Sequence, residues 1–268
     1  MDNVLNNSVL LPPTPLALLE RRRMLMTPNK SSIDTDGLIG YWNYEDTIVN
    51  KRWIDRINSM VINLAGTAQK TNDGIRLNNL SKPNAAFASL DASRNALLNQ
   101  YIDKEFTCIV HCLVKYTQTN MYCSIIDFGS FCSAYSGISL MSTLGQLGYV
   151  GNNAKYNGNS SSGYSETLRV ATQPTPLEQY VDVSVKCGVR LVEGKQEVYN
   201  QYKDGYMVRI ANNPLKINFK GMSYSFNTSP AFGLGVCYLN NTAAVQEYAS
   251  KYLNDIIYKQ ILIYNKVK

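Results

Sequence analysis

Histidine occurs once in this chain, at His111. That excludes any site built from several imidazoles and leaves one candidate partner for a serine or cysteine nucleophile. Between Ile109 and Leu113, on a strand, it is expected as a hydrogen-bonded sheet residue. Charge is sparse too, at 17% of residues. Residues 1–37 hold four basic and four acidic side chains, so the net +6 comes from the remainder, 22 against 16, and is scattered. Without a clustered basic stripe, no nucleic-acid partner is expected. No run approaches the roughly 18 apolar residues of a membrane span. The first fifteen residues carry Asp2, several Asn and a Pro cluster; that is not the plan of a signal peptide. No CxxC occurs among the six cysteines, which removes a zinc ribbon. Cys108 and Cys112 would stand about 13 Å apart on a strand, beyond disulfide reach. Buried free thiols in a reducing compartment are expected.

What the chain has is tyrosine, 19 residues of it, and short runs with strand periodicity. Residues 36–46, DGLIGYWNYED, divide it. Residues 1–35 form an N-terminal arm, polar and then Pro-rich, extended and mobile when alone. Thr14-Pro15 supplies an N-cap and first helical residue for a short helix over 16–26, which Pro28 ends. Leu16, Leu19 and Met26 fall near one face, with Arg21, Arg22 and Arg23 flanking them. Three turns need a partner surface to persist, so these six residues are the candidate docking surface.

From residue 36 to 268 the pattern is strand, turn and strand. The aromatic-rich 37–44 opens it. Runs at 53–56, 60–64 and 74–77 follow, and a short helical turn is expected over 91–100. Residues 106–114 are the clearest early strand, with Phe106, Cys108, Val110, Cys112 and Val114 on one apolar face. Further strands are expected at 121–128, 137–141 and 146–150. Residues 151–164, GNNAKYNGNSSSGY, read as a long polar loop or hairpin tip. Alternation over 181–187 marks another strand, followed by 189–192, 197–202, 206–210, 215–219, 231–238 and 256–264. A helical turn or loop is expected over 241–252. About a dozen short strands without alternating helices indicate an all-β, two-sheet antiparallel jelly-roll sandwich.

Four segments, in order, resemble the concanavalin A-like jelly roll of the laminin-G or pentraxin-like kind: GLIGYWNY at 37–44, FTCIVHCLVK at 106–115, the strand-turn at 197–205, and DIIYKQILIYNK at 255–266. Cys112 and Leu113 replace the family's usual tryptophan region. The resemblance covers residues 36–268 and implies that the first and last strands are neighbours. The leader, with L-x-x-R-R-R-x-L-M, is similar to tailed-bacteriophage virion proteins in which a short arm docks on the particle and a sandwich is displayed.

That fold also hosts glycanases, whose E-x-D-x-x-E pattern sets two carboxyls about 5 Å apart for retaining cleavage. No such spacing occurs here, so no enzyme activity and no catalytic residue are expected. The resemblance allows calcium, but no acidic cluster forms a loop for it. Asp127, beside a Gly-Ser turn, is a candidate by default only, and no metal or other cofactor is assigned. Glycan binding remains. Asn152, Asn153, Tyr156, Asn157 and Tyr164 combine aromatic faces with adaptable polar groups, a mix that suits binding loops, although Asn-Gly-Ser is equally plain turn chemistry. The expectation is a non-enzymatic virion component whose arm contacts other assembly proteins and whose sandwich contacts host-surface glycan. A free-standing lectin is the alternative, and a glycoside hydrolase the third.

Overall fold

The computed structural model describes residues 33–78, 87–90, 105–115, 122–128, 138–143, 150–155, 165–169, 178–202, 205–210, 233–235 and 255–268. Among them are only strands, turns and irregular segments, and no helix is long and apolar enough to cross a membrane. The docking-arm residues Leu16, Leu19, Arg21, Arg22, Arg23 and Met26 lie outside the described residues, as do the expected helical turns at 91–100 and 241–252 and the strand at 215–219.

Among the described residues, sixteen strands make two antiparallel sheets. In the first sheet are β1 (Leu38–Asn43), β4 (Gln69–Lys70), β5 (Ile75–Asn78), β7 (Phe106–Lys115), β12 (Tyr180–Val192), β13 (Lys195–Tyr202), β14 (Gly205–Ile210) and β16 (Asp255–Tyr264). Their order is β14-β13-β12-β7-β16-β5-β4, with β1 also on β16. The second sheet holds β2 (Arg52–Ile54), β3 (Val61–Ala65), β6 (Phe87–Leu90), β8 (Tyr122–Phe128), β9 (Ile138–Thr143), β10 (Val150–Lys155), β11 (Ser165–Arg169) and β15 (Gly233–Leu234), in the order β11-β10-β9-β8-β15-β6-β3-β2. The strands β10 and β11 lie against β13 and β14, which brings one edge of each sheet together.

The first and last strands are neighbours, as the resemblance implied. Leu38 pairs with Tyr264 and Asn43 with Gln260. Along one edge β16 takes β5 and then β1; along the other it takes β7 for its whole length. Holding both edges at once requires both faces of β16 to stay in register, and one extra residue makes that possible. The bulge between Tyr258 and Gln260 shifts parity, so Ile256 and Tyr258 before it and Ile261 and Ile263 after it all lie in the core, fully buried. The bulged Lys259 has its carbonyl taken by the Tyr44 N–H at 2.9 Å.

The core between the sheets follows the alternation read from sequence. Phe106, Cys108, Val110, Cys112 and Val114 are at most 1% exposed, with Val183, Val185 and Cys187 beside them on β12. Tyr258 reaches across the gap and donates from Oη to the Ile125 carbonyl of the second sheet at 2.5 Å. Cys108, Cys112 and Cys187 are buried free thiols.

Two expected strands, 181–187 and 189–192, prove to be one, β12, running through Gly188. The glycine does not break it, because the Tyr199 ring of β13 covers the space a side chain would need. After Val192 the chain reverses through Glu193 and Gly194, both at positive φ (50° and 75°), the two-residue turn that matches sheet twist.

A candidate ligand face on the first sheet

The side of the first sheet facing away from the core carries polar and charged side chains. Pairing sets its rows: Gly188, Thr107, Tyr264 and Leu38 at one end; Ser184, His111, Gln260 and Asn43 in the middle; Tyr180, Lys115, Asp255 and Asn78 at the other end. Nine residues of β16 separate the end rows, about 30 Å at ~3.3 Å rise.

The first end is closed. Leu38, Tyr41, Ile57, Leu262 and Tyr264 form a small second core, against which Ile33 and Ile109 pack. The residues after β16 lock over it. Thr107 Oγ1 donates to the Lys266 carbonyl at 2.8 Å, accepts from the Lys268 N–H at 3.0 Å, and bonds the Tyr199 hydroxyl. Lys266 pairs with Asp36, and Lys268 with Asp34 at 2.6 Å. These lysines hold both carboxyls below the usual carboxylate range. Gly37 makes a fixed corner just before β1. Its φ is +73°, its carbonyl accepts from the Asn265 N–H at 2.9 Å, and an added Cβ would come within 2.5 Å of Lys266 Cε.

The middle row is polar and paired. His111 Nε2 meets Asp182 Oδ1 at 2.7 Å, which bears out a hydrogen-bonded sheet histidine, and Lys259 Nζ lies 3.6 Å from the other carboxylate oxygen. Tyr41 Oη accepts from Asn43 Nδ2 at 2.8 Å and from Gln260 Nε2 at 3.1 Å.

The far end combines a buried charge with an exposed ring. Asp255 is completely buried, and Arg76 grips it with Nε at 2.9 Å and Nη2 at 2.8 Å. Burial, then Asp255, pushes the Tyr180 phenol well up, while Arg76 works in the opposite direction. Lys115 Nζ lies 5.7 Å from the centre of the Tyr180 ring and 3.1 Å from Glu178 Oε2. Tyr180 is nonetheless 38% exposed. An aromatic ring on a strand, flanked by a donor and an acceptor, is a preorganised contact surface.

None of these far-end residues was singled out from sequence. Of those that were, Asn152 and Asn153 lie within β10, not in a loop: Asn152 pairs with Leu140 and Leu168, Asn153 with Ser139 and Thr167. Strands β10 and β11 pair antiparallel, with Lys155 opposite Ser165. Tyr156, Asn157 and Tyr164 lie outside the described residues. Asp127 stands in β8, paired with Gly233 and Ser139. Among the described residues no three His, Cys, Asp or Glu side chains come together.

No family model matches the chain, and no curated protein matches it in sequence. Solved structures do resemble it in fold. A Trypanosoma rangeli sialidase in complex with 2,3-difluorosialic acid aligns over 94% of this chain and 36% of its own, at 13% identity and a TM-score of 0.52. A botulinum neurotoxin type C structure, described as depending on interaction with two ganglioside molecules, aligns over 87% of this chain and 48% of its own, at 10% identity and 0.54. The binding domain of botulinum neurotoxin DC in complex with SialylT does so over 87% and 49%, at 11% and 0.54. The chain therefore spans between 36% and 49% of the length of these structures. At such identities the likeness establishes architecture: the chain is an antiparallel two-sheet β-sandwich of the jelly-roll kind.

Proposed function

We propose that this chain is a non-enzymatic virion component: a sandwich of the laminin-G-like type, fixed to a tailed-phage particle by its N-terminal arm and turned outward to bind host-surface glycan. The carrying observation is the polarity of the ligand face. The residues that follow the arm are clasped at one end, by Asp34–Lys268 and Asp36–Lys266, while the exposed aromatic and polar cluster around Tyr180 stands at the other. A domain anchored at one end and binding at the other needs that separation. The neurotoxin structures of like fold are described with ganglioside and sialylated partners, which supports sugar as the ligand class. Binding without turnover fits the carboxylates of this face, since Asp255 is held by Arg76, Glu178 by Lys115, and Asp182 by His111 and Lys259. Retaining cleavage needs two carboxyls free to act as nucleophile and acid.

Removing residues 1–32, which leaves the clasp whole, tests the anchoring. The expected result is a folded sandwich that no longer enters particles; normal incorporation would remove the arm from the account. A glycan array with the full chain tests adhesion. Absence of binding at millimolar ligand would reduce the sandwich to a structural decoration.

A further inference from the structure

Resting on the glycan-binding reading, we propose that Tyr180, with the Lys115–Glu178 pair beside it, is a binding site for an uncharged pyranose. The sugar's C–H face covers the tyrosine ring, Lys115 donates to its hydroxyls, and Glu178 accepts from them.

Rigidity is the first reason. The ring belongs to a strand residue, Tyr180 pairs with Lys115 of β7, and Lys115 pairs in turn with Asp255, which is fully buried between β5 and β7. A ligand that stacks on it orders nothing, so little of the contact energy is lost to entropy.

Hydrogen-bond chemistry is the second. A sugar hydroxyl both donates and accepts, and this site offers one group of each kind. Lys115 has three N–H donors, of which Glu178 takes one, and the Glu178 side chain, 61% exposed, is an acceptor with free lone pairs.

Charge decides the class of sugar. Every described charge on this half of the face is matched: Arg76 by Asp255, Lys115 by Glu178, Lys259 by Asp182. Among the described residues no cation is left over for the carboxylate of an acidic sugar, and Glu178 would repel it. The preference for uncharged sugars sets this site apart from the sialylated partners of the structurally similar proteins.

The test uses the full chain as wild type, Tyr180→Ala, Tyr180→Phe and Glu178→Gln, on an array of neutral hexose oligosaccharides and their sialylated counterparts, followed by titration of the best ligand. Neutral glycans are expected to bind. Tyr180→Ala should weaken binding at least about tenfold, and Tyr180→Phe, which keeps the ring, by no more than about threefold. Glu178→Gln should weaken binding to neutral sugars and, with Lys115 freed and the repulsion lifted, let sialylated ones bind. Unchanged binding by Tyr180→Ala, or capture of sialylated glycans alone, would overturn this site while leaving glycan binding standing. No glycan bound by any form would overturn both.

Discussion

Arg76 and Asp255 are 179 residues apart in the chain, yet the guanidinium of one closes a two-point fork on the buried carboxylate of the other. That pair fixes the last strand to β5. Arg76→Met would leave a buried carboxylate without its cation. Breaking a fully buried pair costs about 3–5 kcal/mol, and since water reaches the Arg76 side chain (35% exposed) about 2–3 kcal/mol is expected here. Replacing both residues, as Arg76→Met with Asp255→Leu, should recover most of the loss in urea unfolding.

Asp55 organises the turn between β2 and β3. Its buried carboxylate accepts from the backbone N–H groups of Tyr41, Ile57, Asn58 and Met60. Asp55→Ala would orphan all four, with an expected cost of about 3 kcal/mol or more. Burial pushes this carboxyl up from 3.8 to about 6. The folded value is the higher one, so the group's contribution is complete below about pH 3.8 and fades as pH rises through about 6. Urea midpoints of Asp55→Ala should lack that decline.

Asp34 and Asp36 titrate in the opposite sense. Bonds to Lys268 and Lys266 lower both, so their contribution is present above the ordinary carboxylate range and fades as pH falls below it. Both are exposed, so the effect should shrink with added salt. In Asp34→Asn/Asp36→Asn the acid limb of the stability curve should be shallower, as measured by thermal unfolding between about pH 2 and 5.

Gly188→Ala should be among the most damaging single changes. The new methyl would run into the Phe106 carbonyl oxygen and come within 2.6 Å of the Tyr199 hydroxyl. A backbone atom cannot yield as a side chain can, so the expected loss is about 3 kcal/mol. Retention of wild-type stability would mean that β7 and β12 are not so closely joined.

Where side-chain alternation or an end-to-end resemblance carried the signal, the fold was legible from sequence. Residues 37–44 and 256–264 were expected as neighbours, and Leu38 faces Tyr264. The core face of β7 was read residue by residue. Legibility failed where ladder pairing overrides composition. Asn152 and Asn153 look like turn residues but are hydrogen-bonded into a strand with neighbours on both sides. Gly188 looks like a breaker until the ring across it is known. The two-residue β4 and the polar β11 carry too little periodicity to find. The bulge at Lys259 is invisible because an apolar run on both parities has no phase to lose. The far-end cluster was beyond reach for a different reason: Arg76, Lys115, Tyr180 and Asp255 meet only through strand pairing across most of the chain.

Amide chemical shifts of the full chain, recorded as a neutral oligosaccharide is titrated in, test the central claim most directly. The account predicts changes concentrated at Lys115, Glu178, Tyr180 and Asp255, with none in the clasp formed by Asp34, Gly37, Tyr264 and Lys268. Shifts centred on residues 156–164, on the clasp, or nowhere on the protein would contradict it.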